Sequence, residues 1–281
     1  MEVSESRFHF PFTVELSPRV DPLADDFWCS GEHRAQAVFV PDHGRDRDWM
    51  AWWNAIQSAQ RLRGIAHVPH LIAQSEVEAG LSGVEMRAAL VIRGDLNPSL
   101  YDGLSWFKRV RDHFPQTEFY VAAYPDPHPR AESAAEDLEN LLRKLQAGAH
   151  TAITQFCFDS RRLEAFVLAL EAHGISRARI RPGFRLPPAS EENCFGVPLP
   201  REFEGRSLEN REAALLQLLI DAAGFWGPEF RPHFFVMQDA ASWRRVLRAW
   251  PSNSQANRGT PDSLADSSAP DKVCCKDERS G

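Results

Sequence analysis

The sequence lacks the features that mark membrane, secreted and nucleic-acid-binding proteins. No apolar run among its 281 residues approaches the length of a membrane span, and the N-terminal segment MEVSESRFHF lacks the apolar core of a signal peptide. The formal net charge is -7 and no strongly basic patch stands out, which argues against nucleic acid as a partner. The composition therefore favours a soluble globular protein with no membrane role.

Cysteine is scarce, and its spacing is not that of a zinc or redox site. The five cysteines form no CxxC pair, and no His-rich ligand pattern accompanies them. An odd number of thiols without a disulfide framework fits the reducing cytoplasm, and inert thiols are favoured over metal chemistry. The GxGxxG and P-loop motifs are also missing, so neither a Rossmann nor an NTPase site is supported. The cysteines are Cys29, Cys157, Cys194, Cys274 and Cys275.

The sequence does contain a repeated alternation of short apolar segments and amphipathic helices. Several of the apolar segments have almost no polar residue, which is typical of strands buried on both faces of a parallel sheet. The 281 residues have room for one α/β barrel, which needs about 250 residues. Eight strands alternating with helices favour a (β/α)8 TIM barrel over a doubly wound sheet. The predicted strands are Phe12–Leu16, Ala37–Pro41, Ile65–His70, Ala88–Ile92, Glu118–Ala123, Ala149–Gln155, Ala178–Pro182 and His233–Met237.

Helical patterns lie between these strands, and the composition changes after Trp250. Residues 251–281 are rich in Ser, Asp and Pro and cannot bury enough apolar surface to offset chain entropy. The sequence therefore predicts a barrel over residues 1–250 and a disordered tail over 251–281, and it leaves a homo-oligomer open. The predicted helices are Asp48–Arg63, Glu76–Gly83, Leu100–His113, Ser133–Gly148, Arg161–His173, Ser207–Ala223 and Ala240–Trp250.

Polar residues end five of the predicted strands or follow directly after them. The C-terminal ends of barrel strands form the active-site face, so we expect these residues to converge on one mouth. A single residue of this kind is usually a loop anchor, but a group from five different strands favours a ligand site. The residues are Glu15, His70, the run Arg93-Gly94-Asp95, Tyr124 with His128, and Gln155.

Two acidic residues of this group are candidates for chemistry. Glu15 ends the run FTVE, where burial would raise its pKa and let it donate a proton near neutral pH; a hydrogen-bonded structural carboxylate fits equally well. Gly94 lets the backbone approach a ligand and Asp95 places a negative charge there. A structural turn is the competing interpretation of that run.

The predicted helix Ser133–Gly148 carries a polar stripe. Ser133 and Glu136 form a capping-box pattern at its start. Asp137, Asn140 and Lys144 share one face because seven residues nearly complete two turns, and Arg143 adjoins them. Such a stripe is usually a solvated face, but it becomes a clamp if the ribose and pyrophosphate of a dinucleotide lie over it.

Three consecutive segments resemble one enzyme family. The segments AAYPDPHP, DLENLLRKLQAGA and ITQFCFD are similar to the bacterial-type methylenetetrahydrofolate reductases, in a long match without gaps. Weaker matches are FTVEL with Glu15, VPHL with His70, LVIRGD with Asp95, and RPGF at 181–184. The resemblance spans roughly residues 10–250 and is strongest in the middle.

The resemblance implies a fold, a cofactor and a reaction. Members of this family are (β/α)8 barrels in which NAD(P)H reduces FAD, and the flavin passes a hydride to 5,10-methylenetetrahydrofolate, giving 5-methyltetrahydrofolate for methionine supply. By position, Glu15 would be the general acid that opens the imidazolidine ring, and Asp95 would tune charge beside flavin and folate. Gln155 would bind folate or nicotinamide. The implied FAD contacts are His70, Arg93, Gly94, Asp95, Tyr101, Asp102 (through its backbone), Tyr124, His128, Asp137, Asn140, Arg143 and Lys144.

Three segments depart from the family pattern. Pro41 stands where a Thr usually contacts FAD, and the short segment Cys194–Gly205 replaces a longer helix and loop. Gln238 and Asp239 replace an Asn-Arg pair whose Arg contacts substrate. Two alternatives therefore stay open: a non-catalytic flavin- or pterin-binding relative that acts through a protein partner, and a methyltetrahydrofolate oxidase in one-carbon catabolism.

Overall fold

The computed structural model of the chain describes nine stretches within its first 250 residues. The predicted helix Glu76–Gly83 and the predicted tail over 251–281 lie outside them, so the division into barrel and tail stays a prediction. Within the described stretches, no helix is long and apolar enough to cross a membrane. The stretches are 11–16, 35–41, 49–73, 85–93, 102–128, 131–189, 197–203, 205–236 and 240–250.

Eight parallel strands close into a barrel, which confirms the predicted (β/α)8 fold. Each strand pairs with the next along the chain, and the last pairs with the first. The strands are β1 (Thr13–Leu16), β2 (Ala37–Val40), β3 (Ala66–Ile72), β4 (Ala88–Ile92), β5 (Glu118–Ala123), β6 (Thr151–Phe156), β7 (Ile180–Arg185) and β8 (His233–Val236). The α-helices of the described residues are α1 (Trp49–Arg63), α2 (Gly103–His113), α3 (Ala134–Gln146), α4 (Ser160–Ala172), α5 (Leu208–Trp226) and α6 (Ala240–Arg248).

Capping side chains set where the helices begin and end. The prediction started α2 at Leu100, but Asp102 caps the helix by accepting hydrogen bonds from the backbone N–H groups of Leu104 and Ser105, each at 2.9 Å. The Ser133 half of the predicted capping box of α3 is confirmed, since Ser133 Oγ accepts from the N–H of Glu136 at 3.1 Å. The carboxylate of Glu136 accepts from the N–H of Glu132, one residue before the cap, at 2.7 Å. These contacts need the short polar side chains that the sequence places at both positions.

The largest difference from the predicted strands occurs at β7. The prediction began this strand at Ala178, but Arg177–Arg179 form a 3-10 turn whose start is capped by Ser176. Because of this turn the strand begins two residues later than predicted, and it runs from Ile180 to Arg185. At its other end β7 therefore extends past Pro182, and its last residues reach the C-terminal mouth of the barrel.

Apolar side chains fill two layers, one between the sheet and the helices and one inside the barrel. In the outer layer Trp106 is fully buried, and its Nε1 donates to the carbonyl of Leu71 at 3.0 Å. In the inner layer Phe39 and Tyr120 meet edge to face, with ring centroids 5.1 Å apart. Each such side chain stabilises the fold by about 1.5–3 kcal/mol through burial. The inner cluster consists of Ala37, Phe39, Val68, Leu90, Tyr120 and Ile153.

A β-bulge interrupts the pairing of β6 with β7. The register shifts between Ile153 and Phe156, opposite Gly183. The backbone N–H of Gly183 donates to Thr154 Oγ1 at 2.7 Å, and a Cβ at Gly183 would lie only 2.1 Å from the carbonyl oxygen of Thr154. Glycine is therefore required for this close approach. Bulges redirect side chains, and this one includes Gln155.

Candidate active site

A cavity of about 580 Å³ lies at the C-terminal ends of the strands. Its size falls within the range of about 300–1,000 Å³ that is usual for ligand sites. Every described member of the predicted site lines it, while Gly94, Asp95 and Tyr101 lie outside the described residues. The lining members are Glu15, His70, Arg93, Asp102, Tyr124, His128, Asp137, Asn140, Arg143, Lys144 and Gln155.

The acidic end of the cavity is built around Glu15 on β1. Its side chain is 14% exposed, and burial raises its pKa to about 8. Oε2 of Glu15 lies 3.4 Å from Nε2 of His70 on β3 and 3.7 Å from Nε2 of His233 on β8. Burial, with the positive charge of Arg181 and the proximity of His70, holds the pKa of His233 well below its usual range. Glu15 therefore keeps its proton near neutral pH beside a neutral imidazole, which suits a proton donor.

The raised pKa of Glu15 predicts a pH-dependent effect on stability. In the folded protein the carboxyl keeps its proton up to about pH 8, whereas in the unfolded chain it ionises near pH 4.5. Folding therefore binds a proton between those values, and the free energy of unfolding falls as the pH rises through that window. Glu15→Gln has no carboxyl to ionise and should not lose stability in this way. As the pH rises through the window, we expect the free energy of unfolding of the variant to increase relative to that of the wild type by at least the roughly 1.4 kcal/mol that one pKa unit represents.

Urea denaturation of both proteins at several pH values between about 5 and 8 measures this difference. A stability difference that stays constant across the range would contradict the raised pKa. Glu164→Gln, which changes an exposed carboxylate on α4, is the matched control and should show no comparable trend.

The opposite wall of the cavity combines α3 with the start of α2. Lys144 of α3 is partly buried, and burial lowers its pKa, against the opposing negative charges of Asp137 and Asp102. A Cβ at Gly103 would lie 3.3 Å from Nζ of Lys144, so the ammonium group lies directly against the first turn of α2. The side chain of Asp102 is occupied by the cap, because its Oδ2 also accepts from Ser105 Oγ at 2.6 Å.

The predicted polar stripe of α3 divides into two parts. Lys144, Asp137 and Asn140 are partly buried and face the cavity. Arg143 also borders the cavity, but its guanidinium is about half exposed and forms an ion pair with Glu139 one turn earlier. The stripe is therefore neither a fully solvated face nor a fully enclosed clamp.

The loop after β5 brings two aromatic groups to the same wall. The rings of Tyr124 and His128 meet edge to face with centroids 4.9 Å apart. Asp137 holds this loop by accepting a hydrogen bond from the backbone N–H of His128 at 2.6 Å. Asp126 ties the loop to α4 through an ion pair with Arg162. These contacts fix the position of both rings before any ligand binds.

Gln155 lies in the bulge of β6 and lines the same cavity as Glu15 and as the polar wall, which is the wall formed by α3 and the start of α2. Its Oε1 accepts from the backbone N–H of Phe156 at 3.1 Å. With the amide oxygen engaged in this way, the NH2 group is the part of the side chain that suits a ligand acceptor. The bulge thus places one oriented amide donor on the cavity wall.

Three site residues escaped the sequence-based prediction. His233 is the first and Phe235 the third residue of the apolar run HFFV of β8, and Thr13 lies two residues before Glu15 on β1. Thr13 Oγ1 lies 2.8 Å from Nδ1 of His233. The sequence feature that could have revealed them is the alternation of side chains along β8, which places His233 and Phe235 on one face of the strand. The register of β1 with β8 shows that this is also the face of Thr13 and Glu15.

The described residues contain no group of three His, Cys, Asp or Glu side chains that could hold a metal ion. Cys157 follows β6 and is buried, and burial raises the pKa of its thiol to about 12. Its thiolate is therefore not populated at neutral pH, which leaves the thiol unreactive.

The fold and the cavity define a (β/α)8 barrel protein with a ligand site at its C-terminal mouth. Residues 100–187 match the sequence profile described as methylenetetrahydrofolate reductase. The matched region holds the polar wall and Gln155. Over this region the chain is similar to the methylenetetrahydrofolate reductase family.

Individual relatives carry the same family name. The chain is 37% identical over 191 residues to the 5,10-methylenetetrahydrofolate reductase of Pectobacterium carotovorum, a match that covers 59% of this chain and 60% of that enzyme. It is 46% identical over 81 residues to the enzyme of the same name from Escherichia coli K12, over 26% of each chain. The chain thus spans about three fifths or less of the curated relatives that it matches.

A solved structure shares the fold at low sequence identity. It is an uncharacterized protein from Clostridium thermocellum that binds two copies of 5-methyl-5,6,7,8-tetrahydrofolic acid. The TM-score is 0.60 with 12% identity, over 88% of this chain and 94% of the other. At this identity the likeness concerns the barrel fold alone.

Proposed function

We propose that the protein is a flavin-dependent reductase that converts 5,10-methylenetetrahydrofolate to 5-methyltetrahydrofolate with electrons from NAD(P)H. One observation carries this proposal: the same cavity is lined by the carboxyl of Glu15, whose pKa burial raises to about 8, by the amide of Gln155 and by the polar wall of α3. Similarity to the methylenetetrahydrofolate reductases supports reduction of a one-carbon folate as the reaction class. The roles given to single residues below belong to the proposal.

The polar wall fits the phosphate and ribose groups of FAD. Lys144 is a partly buried cation, and it lies against the first turn of α2, where helix geometry favours negative charge. Gly103 leaves the room that the ammonium group occupies. Asp137 and Asn140 add polar atoms of the kind that bind ribose hydroxyls. A bound flavin would supply hydride transfer between NAD(P)H and the folate.

The chain's own contribution to the reaction is proton transfer and orientation. Glu15 donates its proton to a nitrogen of the imidazolidine ring, so that the ring opens to the iminium that accepts hydride. Gln155 orients the folate through its amide NH2 group. The apolar residues Ile153 and Phe235 line the cavity beside these two groups and limit access of water.

The test begins with the purified protein reconstituted with FAD. We expect a flavin absorption spectrum that NAD(P)H bleaches under anaerobic conditions and that 5,10-methylenetetrahydrofolate restores. Absence of both a flavin spectrum and NAD(P)H oxidation with a quinone acceptor would overturn the proposal. Rates measured in both directions separate the reductase from a methyltetrahydrofolate oxidase.

Lys144→Met is expected to weaken FAD binding about tenfold, which corresponds to about 1.4 kcal/mol. Methionine keeps much of the length of the side chain but removes the charge that would pair with phosphate. Fluorescence titration of FAD measures the dissociation constant. Lys108→Met, on the exposed side of α2, is the matched control and should leave it unchanged. If the two variants bound FAD with equal affinity, Lys144 would not be a residue of the flavin site.

A folate-binding relative without hydride chemistry is the second candidate. The buried Pro41 after β2 favours it, because this position lacks the hydroxyl that the family resemblance leads one to expect. Folate binding by the neighbour from Clostridium thermocellum is compatible with it. Such a protein would bind 5-methyltetrahydrofolate in a calorimeter and show no NAD(P)H oxidation after reconstitution with FAD.

A further inference from the structure

We infer that His233 is the positioning residue for Glu15: its Nε2 faces one oxygen of the carboxyl group and donates a hydrogen bond to the carboxylate that forms when the proton leaves. The identity of the proton acceptor in this inference rests on the proposed function. The approach of His233 to Glu15 is independent of that function.

The ring of His233 is fixed on three sides. Thr13 Oγ1 lies 2.8 Å from its Nδ1. Phe39 and Phe235 each meet the ring edge to face, with centroids 4.9 Å away and interplanar angles of 86° and 83°. The side chain is fully buried. With Nδ1 bound to Thr13, the nitrogen that remains is Nε2, which lies 3.7 Å from Oε2 of Glu15.

The surroundings of Nε2 suit a donor that forms its hydrogen bond only when Glu15 is ionised. Among the described residues, Nε2 of His233 is buried and has no hydrogen-bond partner. A distance of 3.7 Å to Oε2 is longer than an N–H···O hydrogen bond, which spans about 2.7–3.2 Å. A movement of less than 1 Å would close that gap. A neutral carboxyl attracts the donor weakly, whereas a carboxylate attracts it strongly.

The inference requires one tautomer of His233. In it the hydroxyl of Thr13 donates to Nδ1, and Nε2 carries the hydrogen and directs it at Oε2. The proton of the neutral Glu15 then belongs on Oε1, because a proton on Oε2 would face the N–H of His233. In the reaction the O–H bond at Oε1 breaks, its proton goes to the folate nitrogen, and the electron pair stays on the carboxylate.

The surrounding charges keep His233 a donor rather than a base. Among the described residues, the groups that act on the cluster are His70 from β3, Arg181 from β7 and, beside Arg181, Tyr120 from β5. Arg181 and burial both oppose a positive charge on His233. His233 therefore stays neutral, and a proton lost by Glu15 does not move onto it.

The test is the titration of Glu15 in the protein without substrate or flavin. Infrared difference spectroscopy follows its carboxyl band, and Glu15→Gln identifies that band by its loss. We expect His233→Leu to raise the pKa of Glu15 by about one, because the carboxylate loses a donor. His233→Gln, which can present an N–H in a similar place, should return the pKa toward the wild-type value. Thr13→Val, which frees the ring, should shift it in the same direction as His233→Leu.

Two outcomes would overturn the inference: a pKa of Glu15 unchanged in both His233→Leu and Thr13→Val, or a Gln variant that behaves like the Leu variant. If His233→Leu does not fold, Thr13→Val and His233→Gln decide the matter by themselves. His173→Leu, at the exposed end of α4, is the control and should have no effect. The titration is readable even if the protein reduces no folate, so failure of the proposed function is a separate result.

Discussion

Glu15→Gln is expected to lower the rate of folate reduction by between about a hundredfold and ten-thousandfold. Glutamine matches the shape of the neutral carboxyl but cannot give up a proton at the pKa of about 8 that burial creates for Glu15. Reduction of the flavin by NAD(P)H needs no proton from this residue in the proposed reaction. We therefore expect oxidation of NAD(P)H with a quinone acceptor to continue in the variant.

The measurement compares the two half-reactions in the same preparation by stopped-flow absorbance of the flavin. Glu164→Gln, on the exposed face of α4, is the control and should leave both rates unchanged. Loss of both half-reactions in Glu15→Gln would mean that the residue supports the whole cavity rather than one proton transfer. Full folate reduction by the variant would exclude Glu15 as the acid.

Much of the barrel was predictable because parallel strands buried on both faces have a strong signal. The segment AALVI of β4 and the segment EFYVAA of β5 have the predicted bounds. The eleven site residues that line the cavity were predictable for a related reason. Ten of them lie near the C-terminal end of a strand, in the loop that follows it, or on the polar stripe of α3 and beside it, and the closed barrel brings all strand ends to one mouth. Asp102, which caps α2, was expected only from the family resemblance.

The contacts within the site were less predictable because they depend on register and on competition between roles. His233 begins an apolar strand, and only its pairing with Thr13 places it near Glu15. Asp102 was expected to meet the cofactor through its backbone, and its side chain caps α2. Asp137 likewise binds the backbone of His128. A polar residue in a sequence does not reveal which of several partners it satisfies.

Gly183→Ala is expected to destabilise the barrel by about 3 kcal/mol. The added Cβ would lie 2.1 Å from the carbonyl oxygen of Thr154 and 2.7 Å from the ring of Phe235. The first contact is with backbone, which cannot move aside without opening the pairing of β6 with β7. Urea denaturation measures the loss, and Gly224→Ala in α5 is the control.

The control separates a backbone clash from a general effect of replacing glycine. A Cβ at Gly224 would meet no atom within 4 Å, so Gly224→Ala should stabilise the protein by about 0.5–1 kcal/mol through the helix preference of alanine. Opposite signs for the two variants would show that the bulge of β6 is held by close packing against Gly183. Because Gln155 lies in that bulge, any folded Gly183→Ala protein should also bind folate more weakly, whereas Gly224→Ala should bind it normally. Equal stability of Gly183→Ala and the wild type would mean that the two strands separate at little cost, and the amide of Gln155 would then lack a fixed position.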